Sequence, residues 1–175
     1  MSQNENDIVA ALQTKFKDAS VQVQPEQLGR AAVIADASTH REVLKVLLEA
    51  DEKTAVSAIT GIDLGTNMGV FYHIRTSKGG IITIKTEIPK EKPRIRTISD
   101  LLPGAAFHEM EVADLLGVVF EGHPSPGRLV LPENWPDDVF PLRKDAKVDN
   151  LKFKQAPPSE TELSGDGKKI GRAHV

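Results

Sequence analysis

The chain has 175 residues, 39% of them hydrophobic, a formal net charge of −3 and no cysteine. That length suits one domain with a lean but sufficient core, and the near-neutral balance lacks the broad basic footprint of a nucleic-acid binder. Without cysteine, disulfides, thiolate nucleophiles, sulfur-ligated zinc and iron–sulfur clusters held by this chain are excluded.

The opening MSQNENDIVA has no basic start and no apolar run, so no secretory signal is expected. The densest apolar runs, Val43–Leu48 and Leu115–Phe120, fall short of the ~18 residues of a membrane span. Ile8, Leu12 and Phe16 recur at helical spacing, which predicts a short amphipathic helix ending in Lys15 and Lys17, cations favourable at a helix C-terminus. Val21 and Val23 alternate with Gln before Pro25, as in a brief edge strand, and Leu28–Ala35 reads as a second strand.

Thr39 and Glu42 have capping-box spacing, and Val43, Leu44, Leu47 and Leu48 form one stripe, so a helix is expected from about His40 to Ala50. Three strands follow. Val56, Ala58, Ile62 and Leu64 are expected on one face of the first, and Val70, Tyr72 and Ile74 on one face of the second. Ile82, Ile84 and Ile88 line the third, after a turn at Ser77-Lys78-Gly79-Gly80. Pro89 and Pro93 close this region, because proline cannot donate to a ladder. Lys90, Lys92, Arg94 and Arg96 then read by default as a solvated basic loop, with a local surface for an acidic partner as the alternative.

A helical turn at Ser99–Leu102 leads to a helix over Ala105–Leu116 that stops at Gly117. Its apolar residues do not form one stripe, and Glu109, Glu111 and Asp114 are interspersed among them. A helix apolar all round is normally buried, and buried carboxylates are costly unless paired. Both conditions are met if the helix lies between its own sheet and a second protein that supplies cations; the alternative is a partly exposed helix whose acids are solvated, the commoner case for a charged helix. Beyond Asn150 the chain is rich in Pro, Ser, Gly and charge, and is expected to be disordered or laid along another protein.

Catalytic motifs are weak. Glu109 and Glu111 project to nearly opposite sides, so they are no dyad, whereas Glu111 and Asp114 share a face without an evident nucleophile. HEMEV lacks the spacing that puts two histidines on one zinc. His40 and His73 read as structural or exposed, and His123 in its Gly/Pro loop as a ring bonded to nearby backbone. No glycine-rich phosphate loop is present.

The ordered series Glu109-x-Glu111-x-x-Asp114-Leu115-Leu116-Gly117, Phe120-x-Gly122-His123-Pro124, Arg128-Leu129, Trp135 and Pro141-Leu142-Arg143-Lys144-Asp145 resembles a known family. It is the family of the thirty-kilodalton, or C, subunit of respiratory complex I. Relatives occur in energy-converting membrane-bound nickel–iron hydrogenases and in a methanogen dehydrogenase of reduced deazaflavin. The resemblance runs from about Val56 to Lys147, through the strands around Asp63, Tyr72 and Ile82–Ile88. Two positions depart from it. Met110 stands where the family usually has Arg, and Gly127-Arg128 where it usually has two Arg. The form LPENWPDDVFPLRKD looks closer to the hydrogenase branch.

The resemblance implies an α+β fold, a mixed or antiparallel sheet flanked by helices on one face, with an extended C-terminal segment that packs on a partner. The expected division is an α+β domain over 1–120, a docking segment over 121–150 and a polar tail over 151–175. The implied function is a cofactor-free structural and assembly subunit in the peripheral arm of a membrane-bound oxidoreductase, of the hydrogenase type or of NADH:quinone oxidoreductase proper. Iron–sulfur clusters, and nickel–iron or flavin, are expected in partner subunits. The implied partners are a large catalytic subunit and a small iron–sulfur subunit at the cytoplasmic face of the cell membrane. Glu109, Glu111, Asp114, His123, Arg128, Trp135, Arg143 and Lys144 are the expected interface. Two other readings stand beside it: a small independent enzyme using Glu111, Asp114 and His123 as acid–base groups, and an adaptor recruiting partners through its tail.

Overall fold

In a computed structural model of the chain, the alternating residues between 55 and 89 form three successive antiparallel strands. These are β3 (Ala55–Asp63), β4 (Asn67–Arg75) and β5 (Ile81–Pro89). The structure describes residues 21–26, 30–77 and 79–147, together with residues 10, 12 and 14–16. Two strands precede them, β1 (Val21–Glu26) and β2 (Arg30–Ala35). The sheet order is β1-β2-β5-β4-β3, antiparallel except where β2 runs parallel to β5. This is the expected mixed sheet with an edge strand at β1.

One face of the sheet is the core. Tyr72 lies opposite Ile84 and Ile74 opposite Ile82, while Val33 sits beside Ile84 on the parallel side. All five are at most 1% exposed. Helix α1 (His40–Ala50) covers this face with Val43, Leu44, Val46 and Leu47. Its boundaries match the expectation, but its capping box does not form. The Thr39 hydroxyl donates to Asp36 O, and Glu42 accepts from Lys45 instead.

A second departure lies in β3. The register shifts between Val56 and Ala58, a bulge that adds one residue and reverses the facing of everything after it. Ile59 and Asp63 therefore point into the core, and Ile62 and Leu64, expected beside Val56, are turned outward and exposed.

Helix α2 (Ala105–Leu116) lies across β3 on the same face as α1. Glycine at 61 permits the approach. A Cβ there would collide with Leu116 Cδ1 and sit 2.8 Å from Val112 Cγ1. The helix ends as expected at Gly117, whose φ of 72° is the left-handed conformation that glycine adopts without penalty. Arg94–Arg96, read as part of a solvated loop, is instead strand β6. It pairs in parallel with β7 (Val119–Glu121) as a two-stranded sheet.

The expected N-terminal helix lies largely outside the described residues, although Leu12 is buried and Phe16 packs on the core. The tail from 151 onward also lies outside them.

Candidate functional site

The last four carbonyls of a helix have no partner within it, and residues after 121 return to fill two of them on α2. The Leu142 N–H donates to Leu115 O at 3.1 Å, and Arg143 Nε donates to Leu116 O at 2.7 Å. The Arg143 cation is thereby held at the negative end of the helix dipole. Its guanidinium lies over the Phe140 ring, 4.5 Å from the centroid. A Cβ at Gly117 would be 2.6 Å from that ring, so the glycine also makes room for the returning chain.

Asp114 anchors the middle of the same segment. Its Oδ2 accepts from the N–H groups of Leu129, Val130 and Leu131, at 3.2, 2.9 and 2.7 Å. Three successive backbone donors form a nest for one anion, and here a carboxylate of the chain itself occupies it. Arg128 Nη1 lies 3.3 Å from Asp114 Oδ1, while its Nη2 donates to Trp135 O and to Asp137. Trp135 closes the turn by donating from Nε1 to Val139 O. The partners of Asp114 were expected in a second protein, but the chain supplies them.

Glu109 is also internally satisfied. Its carboxylate accepts from the Ile98 N–H at 2.8 Å and from the Thr97 hydroxyl. Burial pushes this carboxyl above its ordinary range. His123 Nε2 lies 3.9 Å away, directed at Ala106 O, and its Nδ1 accepts from the Ser125 N–H. The ring is thus bonded to nearby backbone, as the sequence suggested.

A third anchor went unnoticed in the sequence. Asp63, at the end of β3, accepts from Lys90 Nζ at 2.8 Å, from the Lys144 N–H at 2.9 Å and from the Gly65 N–H at 2.8 Å. Lys90 also reaches Asp145 at 3.0 Å. Lys90 beside Asp63 holds that carboxyl well below the usual carboxylate range. The only local signal was an Asp followed two residues later by Gly in a tight connection. Lys144 lies 81 positions away, beyond any local pattern.

The candidate acid–base set does not assemble. Glu111 is exposed beside a hollow shared with Leu115 and Leu142, His123 borders a different hollow with Met110 and Phe120, and Asp114 is occupied by its nest. Among the described residues no group of three or more His, Asp or Glu converges as a metal site, and no described helix is long and apolar enough to cross a membrane.

What the region leaves unspent is carbon. Phe107 is 67% exposed, and Val119, Leu129, Val130 and Leu142 are exposed as well. They lie on or around α2, on both sides of it. The helix that looked apolar all round is buried on one side and presents the remainder outward.

Comparison with known proteins gives a consistent set. The family model described as "Respiratory-chain NADH dehydrogenase, 30 Kd subunit" matches residues 33–152. The chain is 38% identical over 100 residues to the C subunit of the NADH-quinone oxidoreductase of Chloroherpeton thalassium, covering 55% of this chain and 40% of that protein. It is 34% identical over 140 residues to the C/D subunit of the NADH-quinone oxidoreductase of Phocaeicola vulgatus, covering 75% and 26%. It is 30% identical over 142 residues to the beta subunit of the membrane-bound hydrogenase of Pyrococcus furiosus, covering 78% and 82%. The first two relatives are thus matched over well under two thirds of their length. The fold matches a chain in the archaeal membrane-bound sulfane sulfur reductase, a respiratory membrane complex, with a TM-score of 0.68 at 21% identity, covering 98% of this chain and 97% of that one.

Proposed function

The chain belongs to the family of the respiratory-chain NADH dehydrogenase 30 Kd subunit, and on that premise we propose that it is a structural and assembly subunit of a membrane-associated oxidoreductase complex. In this reading it sits in the peripheral arm at the cytoplasmic face. It docks on the large catalytic subunit beside a small iron–sulfur subunit, and those partners carry the clusters and the nickel–iron or flavin centre.

The observation that carries the reading is chemical as well as familial. Within the matched region Asp63, Glu109 and Asp114 are taken up by bonds that hold the chain's own segments, and large apolar side chains are left in water around α2. Spent polar groups beside unspent carbon describe an interaction surface. The C/D relative supports a large partner, since the match covers only 26% of its length.

The hydrogenase branch is favoured by the Leu131–Asp145 motif and by the alignment with the beta subunit of a membrane-bound hydrogenase. The quinone-reducing branch is favoured by the 38% identity to the C subunit of an NADH-quinone oxidoreductase. Purification of the tagged chain from gently solubilised native membranes separates them. A nickel-bearing large subunit with an iron–sulfur subunit gives the first, and a flavin-bearing NADH-oxidising module gives the second. A chain recovered only as a monomer overturns both.

A further inference from the structure

Among the described residues, His40, His73 and His123 each have partners on both ring nitrogens, and those of His40 differ in kind. His123 Nε2 donates to Ala106 O and its Nδ1 accepts from the Ser125 N–H, which a neutral ring satisfies. His73 lies between the hydroxyls of Thr60 and Thr83, and a hydroxyl can donate or accept. His40 lies between two carbonyls. Its Nδ1 is 2.7 Å from Ala37 O, in the turn before α1, and its Nε2 is 3.0 Å from Arg96 O, at the end of β6. A carbonyl only accepts, and a neutral imidazole has a single N–H. Both contacts are hydrogen bonds only when the ring carries two protons. With one, a nitrogen lone pair faces a carbonyl oxygen.

Two further features suit the charged ring. The imidazole is stacked on Tyr72 of β4, with centroids 5.6 Å apart and planes 14° from parallel, and a cation within about 6 Å of an aromatic centroid is attracted to its face. The next residue, Arg41, donates to Thr97 O, so consecutive side chains of α1 take consecutive carbonyls where β6 ends. The charge of Arg41 is met by Asp100, with both contacts at 2.7 Å.

Burial opposes the charge. His40 is 1% exposed, and burial, the largest influence, brings its pKa below the ordinary value, while the Arg96 and Ala37 carbonyls raise it and Arg41 lowers it. The other ionisable groups nearby are engaged elsewhere. Glu42 accepts from Lys45, Glu109 of α2 is turned to Thr97 and Ile98, and the Arg96 side chain is exposed, so that only its carbonyl meets the ring.

A small displacement of Arg96 O leaves the ring as buried as before. Between those two arrangements the pKa is higher with the carbonyl in place, so this contact tightens as pH falls and slackens as pH rises. Against the unfolded chain the sign reverses, because burial lowers the pKa of the folded ring. Acid therefore weakens the domain through His40 while closing this one bond.

We propose that His40 is a proton-operated clasp between α1 and β6, in which Nδ1–H holds Ala37 O throughout and Nε2 binds Arg96 O only on taking up a second proton. Thr97 and Ile98, directly after β6, hold Glu109 of α2, so the clasp sets how firmly the two helices are joined through this strand. It does not depend on which complex the chain joins.

Nuclear magnetic resonance of the full chain tests the clasp in the wild type. Between about pH 8 and pH 5, the ring nitrogen shifts of His40 are expected to pass from a single proton on Nδ1 to one on each nitrogen. The Arg96 carbonyl carbon is expected to move downfield along the same curve, and that of Ala37 to move far less. A ring that keeps a single proton, a ring that carries two at every pH, or an Arg96 carbonyl that does not follow the ring overturns the proposal. His40→Phe keeps a ring over Tyr72 and removes both donors, so it should hold the Arg96 carbonyl at its alkaline position. A carbonyl that still titrates in this variant answers to Glu109 or Asp100 and overturns the assignment to His40. Should His40→Phe fail to fold, the wild-type resonances decide alone.

Discussion

Replacing Asp114 by alanine should release the loop at 128–131 before it unfolds the domain. The carboxylate holds three N–H groups on one oxygen and faces Arg128 with the other. A hydrogen bond to a charged group contributes about 1.5–3 kcal/mol net. Three donors crowded on one oxygen count for less than three such bonds, and the partly exposed Arg128 pair adds under about 1 kcal/mol. A latch of about 3 kcal/mol results, and at 1.4 kcal/mol per decade its loss raises the open population about a hundredfold. Trypsin reads this directly. In the closed loop the Arg128 guanidinium is bound to Asp114, Trp135 and Asp137 and the Leu129 N–H is tied down, so the bond between residues 128 and 129 is protected. When reclosing outpaces cleavage, the rate of cutting follows the open population. Cleavage after Arg128 should therefore rise by one to two decades in Asp114→Ala, while cleavage after Arg75, at the end of β4, should not change. A rise of less than about threefold, with a lowered melting temperature, would show that Asp114 supports the core and not the loop.

Asp63→Asn tests the second anchor by its pH dependence. The carboxyl is depressed in the folded state, so it contributes stability above the unfolded value of about 3.9 and loses it as pH falls toward the folded value. The gap in urea midpoint between wild type and variant should shrink progressively below about pH 4, and a gap constant with pH contradicts this. Glu109 has the opposite sign, because burial raises its pKa. Its contribution is fully present below about pH 4.3 and is lost as pH rises through the folded value, so Glu109→Gln should gain on wild type by calorimetry as pH rises above about 4.3. An equal loss at every pH would place the hydrogen bonds above desolvation. Gly117→Ala forces an L-residue to φ 72° and drives its Cβ onto Phe140; the backbone alone costs about 1–2 kcal/mol, and unchanged denaturant midpoints would refute the packing of Phe140 there. Phe107→Ala should leave the melting temperature of the subunit unaltered and reduce its recovery with the partner. Loss of stability in the isolated chain would mean that the ring is part of the core.

The sequence showed most of the frame and little of the bonding. Helix α1 was legible from the stripe Val43, Leu44 and Leu47, and α2 from the glycine that ends it. The faces Val70–Tyr72–Ile74 and Ile82–Ile84–Ile88 were legible from strict alternation. The bulge in β3 was not, because one inserted residue between Val56 and Ala58 has no glycine or proline to mark it. Strands β6 and β7 have three residues each, too few for a period to appear. The capping box failed because Lys45 competes for Glu42 and Asp36 O for the Thr39 hydroxyl, competitors that spacing alone cannot rank. The acids of α2 were noticed, but their donors lie 11 to 17 residues away, in segments that read as coil.

Those internal donors change what the proposed docking surface must be. Had Asp114 and Glu109 awaited cations from a second protein, the segment after Phe120 would have been held by charge and ordered only on binding, at the entropic cost of such coupling. With Asp63, Asp114 and the last carbonyls of α2 all bonded within the chain, residues 128–144 are fixed at three places before any partner arrives. Association then orders mainly side chains, which costs about 0.5–1.5 kcal/mol for each flexible one instead of the larger sum for a whole segment. The buried acids brace the segment, and in the proposed subunit the exposed carbon of Phe107, Val119 and Leu142 is what remains to carry the affinity. A charge removed from the inside of this region should therefore act on the complex through the fold, and a hydrophobe removed from the outside should act on the complex alone.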